Sequence, residues 1–116
     1  ISKTYAFPPV PHNRVRVGLQ FIAIDDWEAR GGSEDLAYLE LQGNRRANER
    51  FSGGSGSQQC GDSPHPVFGG NKENVKALWG SVSRSASNVK VEVGAETTAD
   101  KNNESWGVDN VSVWVR

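Results

Sequence analysis

Methionine is absent from this chain, cysteine occurs once, histidine twice, and no long apolar run interrupts it. Each shortage closes off a class of answer. A lone Cys60 cannot build a disulfide framework within the chain. His12 and His65 each stand beside a proline and offer no zinc pattern, and neither a GxSxG elbow nor a phosphate-binding loop is present. Nothing approaches the ~18 apolar residues of a membrane-spanning helix, and no charged start followed by an apolar segment marks a signal peptide. An excess of one charge is also missing, because the formal net charge is -1 over 116 residues. Nucleic-acid surfaces need clustered Lys and Arg, and the local group Arg45, Arg46 and Arg50 reads instead as a solvated face. Opening at Ile1, the chain reads as a processed form or a segment of a longer protein, which leaves secretion open.

A chain of this length holds one domain, 1–116, able to bury a sizeable core. Its dominant period is two. RVRVGLQFIAID sets Val15, Val17, Leu19, Phe21 and Ala23 on one face, and its far face turns apolar at Ile22 and Ile24, which predicts a central strand. KTYAF before it predicts a short strand, with PPVPHN as a rigid connection. DWEARGGSED reads as a polar loop, LAYLELQG as a strand, and NRRANERF as a strand by context although Ala47 and its charges suit a helix. The segment SGGSGSQQCGDSPHPVFGGNKEN is Gly-, Ser- and Pro-rich, the composition of a long functional or tethered loop. VKALWGSV and NVKVEVGAET predict strands joined by SRSAS, ETTADKNNES a loop, and VDNVSVWV a last strand with Val111, Val113 and Val115 opposite Ser112 and Trp114. Without crossover helices the strands must run antiparallel, so the expected fold is an all-β, jelly-roll-like β-sandwich.

Two acidic groups stand at strand ends. Asp25, Asp26 and Glu28 follow the central strand, with Glu34 and Asp35 beyond a glycine pair, while Glu104, Asp109 and Asn110 lie at the entrance of the last strand. Calcium takes six to eight oxygens from side chains and carbonyls of separate loops, and this spacing permits such a site without matching a twelve-residue EF-hand loop. The same residues also suit turn caps that accept backbone N–H bonds. Trp27 and Trp106, one inside each group, are fitted to pin these segments to the edge of the sandwich.

FPPVPHNRVRVGLQFIAIDDWE together with ESWGVDNVSV resembles a family of extracellular β-sandwich repeats found in large surface proteins of protists and algae and in bacterial secreted proteins. The family pattern has Pro-His, then a strand ending Ile-Asp-Ser-Trp-Asp, then Glu, and closes with Glu-Ser-Trp-Gly-Ile-Asp-Asn-Val. Pro11, His12, Ile24, Asp25 and Trp27 match the first part. Glu104, Ser105, Trp106, Gly107, Asp109, Asn110 and Val111 match the second. Asp26 and Glu28 depart from it, and the ARGGS insertion leaves open whether Glu34 or Asp35 is the family's Glu. The closing strand is also similar to the Ile-Asp-Asp ending of MAM-type and reelin-type jelly rolls. What these resemblances imply is calcium, held by Asp25, Asp26, Glu28, Glu34 and Asp109, and an extracellular or cell-surface location. They also imply a partner for Cys60 upstream of Ile1.

Catalysis has little to work with. Cys60 and His65 as thiol and base sit in a Gly-Pro loop that cannot hold them together, and paired carboxylates for glycoside hydrolysis are unavailable when they bind a cation. His12 reads as a structural residue bonding a backbone carbonyl at a strand start. Flat aromatic platforms bind sugar rings, which makes Trp114 and Tyr38 the candidates for ligand contact, whereas Trp79 in KALWGSV fits core packing better. Of the two glycosylation sequons, Asn103 is expected to be modified in a loop and Asn110 to be inaccessible. The expected function is a non-catalytic, calcium-stabilised module for adhesion or recognition of a carbohydrate or protein ligand. The alternative is a structural repeat that binds only neighbouring copies in a surface assembly. No nucleic acid and no membrane insertion are expected.

Overall fold

The computed structural model describes residues 1–25, 29–30, 33–50, 74–96 and 104–116, and for Asp25, Ala29, Arg30, Ser33, Glu34, Asn74 and Glu104 it describes the backbone only. Among the described residues there is no helix. The strands are β1 (Ser2–Ala6), β2 (Arg14–Asp25), β3 (Ala29–Arg30), β4 (Ser33–Glu34), β5 (Leu36–Leu41), β6 (Asn44–Arg50), β7 (Asn74–Ser83), β8 (Asn88–Glu96) and β9 (Glu104–Val115). One sheet has the order β1-β8-β5-β6 and the other β7-β2-β9, all pairs antiparallel. The two sheets pack face to face, so the molecule is a β-sandwich of the jelly-roll-like kind that its alternation predicts.

The core is what the period of two places inside. Val15, Val17, Leu19, Phe21 and Ala23 of β2 and Leu78 of β7 meet Ala37, Leu39 and Leu41 of β5 and Val89, Val91 and Val93 of β8, all buried. Burying a side chain such as Val, Leu or Phe contributes ~1.5–3 kcal/mol, so these alternating faces dominate the stabilisation. β2 is the central strand of its sheet, as its doubly apolar end requires. Gln42 and Gly43 link β5 to β6 with φ of 53° and 77°, the left-handed pair that matches the twist of a two-residue hairpin. That hairpin resolves NRRANER as strand.

Two local readings change, and one connection crosses between the sheets. Within DWEARGGSED a small hairpin forms, with Ala29 opposite Glu34 and Arg30 opposite Ser33. ESWG is not loop but the first part of β9, extending the β2–β9 ladder to Asp25 opposite Glu104. β7 and β8, though joined by a short polar connection, do not pair with each other; the chain crosses there from the three-stranded sheet to the four-stranded one. His12 braces that crossing. Its Nδ1 lies 2.6 Å from the Val10 carbonyl, its Nε2 lies 3.0 Å from that of Ala86, and Phe7 packs edge-on against the ring.

Candidate functional site

The acidic residues separate into two places. Register sets Asp25 opposite Glu104 at one end of the β2–β9 ribbon, but Asp109 opposite Gln20. Five residues of strand between Asp25 and Gln20 span about 17 Å. Oxygens that share one calcium ion lie within about 5 Å of each other, since each bond is 2.3–2.6 Å. Asp109 is therefore not brought to the Asp25 end. Asp26, Glu28, Trp27, Cys60, His65 and Asn103 lie outside the described residues, and Asp35 is fully buried. Among the described residues, no group of three or more His, Cys, Asp or Glu is placed to hold a metal ion.

Asp109 and Asn110 form a backbone irregularity instead. Between Gly18 opposite Ser112 and Gln20 opposite Asp109 the register shifts, so Asn110 and Val111 together face the single residue Leu19. This is a β-bulge, with Asn110 in the left-handed region at φ 53°. The Asp109 carboxylate accepts the Asn110 backbone N–H at 2.8 Å, and the Asn110 amide donates to Gln20 Oε1 at 2.9 Å. Asn110 is exposed, contrary to the expectation that it is inaccessible, because a bulge turns two consecutive residues outward. The extra residue also switches the inward face: Trp106 and Val108 pack on the core before the bulge, Val111, Val113 and Val115 after it. Trp106 stacks on Phe21 at 5.2 Å between ring centroids, 16° between planes, as a pinning residue should.

Tyr38 lies on the outer face of the four-stranded sheet, across Gly94, where an added Cβ would fall 2.4 Å from its hydroxyl. The Arg45 guanidinium covers its ring at 4.2 Å, and Arg45 in turn pairs with Glu40 and Glu96. Burial, with help from Glu92 and Glu40, pushes the Tyr38 phenol above its usual range. The face of the ring that Arg45 covers is not open to a ligand.

Trp114 is different. It is 53% exposed on the outer face of the three-stranded sheet, and Trp79, at 58%, is its neighbour rather than a core residue. Leu78, Gly80 and Val82 take the inward positions of β7 opposite Leu19, Val17 and Val15, which forces Trp79 outward, opposite Gly18. Arg16 stands between the indoles, its guanidinium 4.7 Å from the Trp79 ring centre and 5.9 Å from that of Trp114. Trp114 lies over Gly18, where even a Cβ would come within 3.1 Å of its ring. With Arg14, Ser81 and Arg116, the two indoles and Arg16 line a hollow of about 550 Å³. Rigid half-exposed indoles, a planar cation and a hydroxyl can stack against a ring and hydrogen-bond its substituents.

Trp114 was singled out from the sequence and stands exposed, whereas Trp79 was assigned to the core and Arg16 and Gly18 were not singled out. Strict alternation from Leu78 and Val82 would have placed Trp79 with Ser81 and Ser83. The signal that obscured it was its own hydrophobicity. No protein-family model matches this chain, and neither a curated protein nor a solved structure matches it significantly.

Proposed function

We propose that this chain is a non-catalytic, extracellular recognition module that binds carbohydrate on the outer face of β7-β2-β9. The observation that carries the reading is the pair of indoles, Trp79 and Trp114, more than half exposed on one sheet face with Arg16 held between them. Leaving that much apolar surface in water forgoes burial worth ~25 cal/mol per Å², a cost that a stacked sugar ring offsets. Strands, rather than loops, carry the residues, so the platform is preorganised.

Calcium belongs to this reading at the other end of the ribbon. Acidic residues directly opposite each other repel, and Asp25 and Glu104 occupy such positions; a divalent cation bound there would remove the repulsion. The resemblance to extracellular surface repeats supports calcium and the extracellular location, while the strand register gives Asp109 no part in the site.

A glycan array tests the function. Saturable binding to at least one saccharide, lost in Trp79→Ala and Trp114→Ala while the melting temperature stays near wild type, is the expected result. An array without binding, combined with self-association in sedimentation, refutes it in favour of a structural repeat that contacts only its neighbours.

A further inference from the structure

We infer that the saccharide recognised on this face is anionic, carrying carboxylate or sulfate groups held by Arg14, Arg16 and Arg116 while a ring stacks on Trp79 and Trp114; this rests on the recognition reading and adds charge to it. The first support is an arrangement that is unfavourable without a ligand. Arg14 and Arg116 exchange backbone hydrogen bonds, N–H to carbonyl at 3.2 Å and 2.9 Å, so they stand directly opposite on adjacent strands. Like charges in that position destabilise a sheet. Two residues along β2, on the same face, comes Arg16. Among the described residues no carboxylate pairs with any of the three, although Arg45 is paired with Glu40 and Glu96, and Lys76 with Glu49. Three guanidinium groups that no side-chain carboxylate pairs among the described residues, on a chain whose net charge is -1, are concentrated where the two indoles are.

The second support is the way Arg16 is used. Its guanidinium carbon lies 4.7 Å from the Trp79 ring centre, and among the described residues no hydrogen bond or ion pair engages its N–H groups, which can donate two parallel hydrogen bonds to a carboxylate or sulfate. Third, the hollow continues. Arg14 and Arg116 also border a second depression of about 680 Å³, beside Pro11, His12 and Asn13, so the basic residues sit where the two meet. A chain of sugars, rather than a single residue, fits a surface of that extent. Nucleic acid also joins phosphate to stacking rings, but its affinity comes from many phosphate contacts. This face offers three arginines, fewer than such a set of contacts requires.

The test is isothermal titration of the chain with dextran, dextran sulfate, polygalacturonate and oligo(dT). Saturable binding of dextran sulfate or polygalacturonate, at least about tenfold tighter than dextran, is expected, and which of the two binds distinguishes sulfate from carboxylate. Arg16→Gln should weaken that binding about tenfold or more, higher salt should weaken it further, and Arg46→Gln should leave it unchanged. Dextran binding as tight as dextran sulfate, with both lost in Trp79→Ala, overturns the anionic assignment and leaves the recognition reading standing. Polyanion binding that survives Arg14→Gln and Arg16→Gln, or tighter binding of oligo(dT), also overturns it. Failure of all four probes to bind, or binding indifferent to Trp79→Ala, overturns both.

Discussion

Asn110 is the residue at which a small change should have the largest structural consequence. Deleting it removes the bulge and forces one half of β9 to exchange faces. If the second half turns, Val111, Val113 and Val115 leave the core while Ser112 and Trp114 are driven toward it. Each valine is partly buried, so losing ~1 kcal/mol apiece and burying an unpaired hydroxyl gives a cost of about 3–5 kcal/mol. Stability for a domain is ~5–15 kcal/mol, so the deletion should take a large share of it. Asn110→Ala keeps the register but removes the polar side chain that makes φ 53° tolerable, a conformation that costs ~1–2 kcal/mol outside Gly and Asn. Asn110→Gly accepts that φ and loses only the exposed bond to Gln20, so its cost should stay below about 1 kcal/mol. Urea unfolding of the four chains, followed by tryptophan fluorescence, measures the order. A deletion no more damaging than Asn110→Ala, or a glycine more damaging than alanine, would refute the account.

Other expectations follow from the same geometry. Gly18→Ala should displace the Trp114 indole and weaken saccharide binding, yet change stability by less than ~1 kcal/mol, because a half-exposed ring can swing aside; unaltered affinity would contradict this. The raised Tyr38 pKa means that the folded state favours the neutral phenol. Its contribution is therefore intact below the ordinary value of about 10 and is lost as pH rises through the higher folded value. Tyr38→Phe should accordingly lose less melting temperature than wild type as pH rises above about 10, and parallel curves would count against it. Added calcium should raise the melting temperature by mass action; Asp25→Asn should flatten that response while Asp109→Asn preserves it, and the reverse pattern would relocate the ion.

Much of the sandwich was legible because one face of each strand must be dry and the other wet. RVRVGLQFIAID could hardly be anything but a central strand, since Val15 to Ala23 and then Ile22 and Ile24 leave it no polar side at its end. The pattern is weaker where pairing rather than burial decides. The β3–β4 hairpin is too short to show a period, and β7 and β8 look like hairpin partners until the sheets they join are known. The candidate site was half visible. Trp114 falls on the polar side of its strand, but Trp79 needs its neighbours' parity to be counted, and Arg16 becomes meaningful only when register sets it between two indoles. Asp109 stood with the ligand candidates because a carboxylate that caps an amide and one that binds a cation look alike in sequence.

The sandwich also has flanks. On one, β6 and β7 close together so tightly that a Cβ on Gly80 would sit 2.6 Å from that of Arg46. On the other, the outermost strands are β1, five residues long, and β9, broken by Asn110 and Val111. An incoming strand would find only a short run or an interrupted one on which to zip. Crowding should therefore leave copies of this domain dispersed, with fibril-like stacking blocked at its first step.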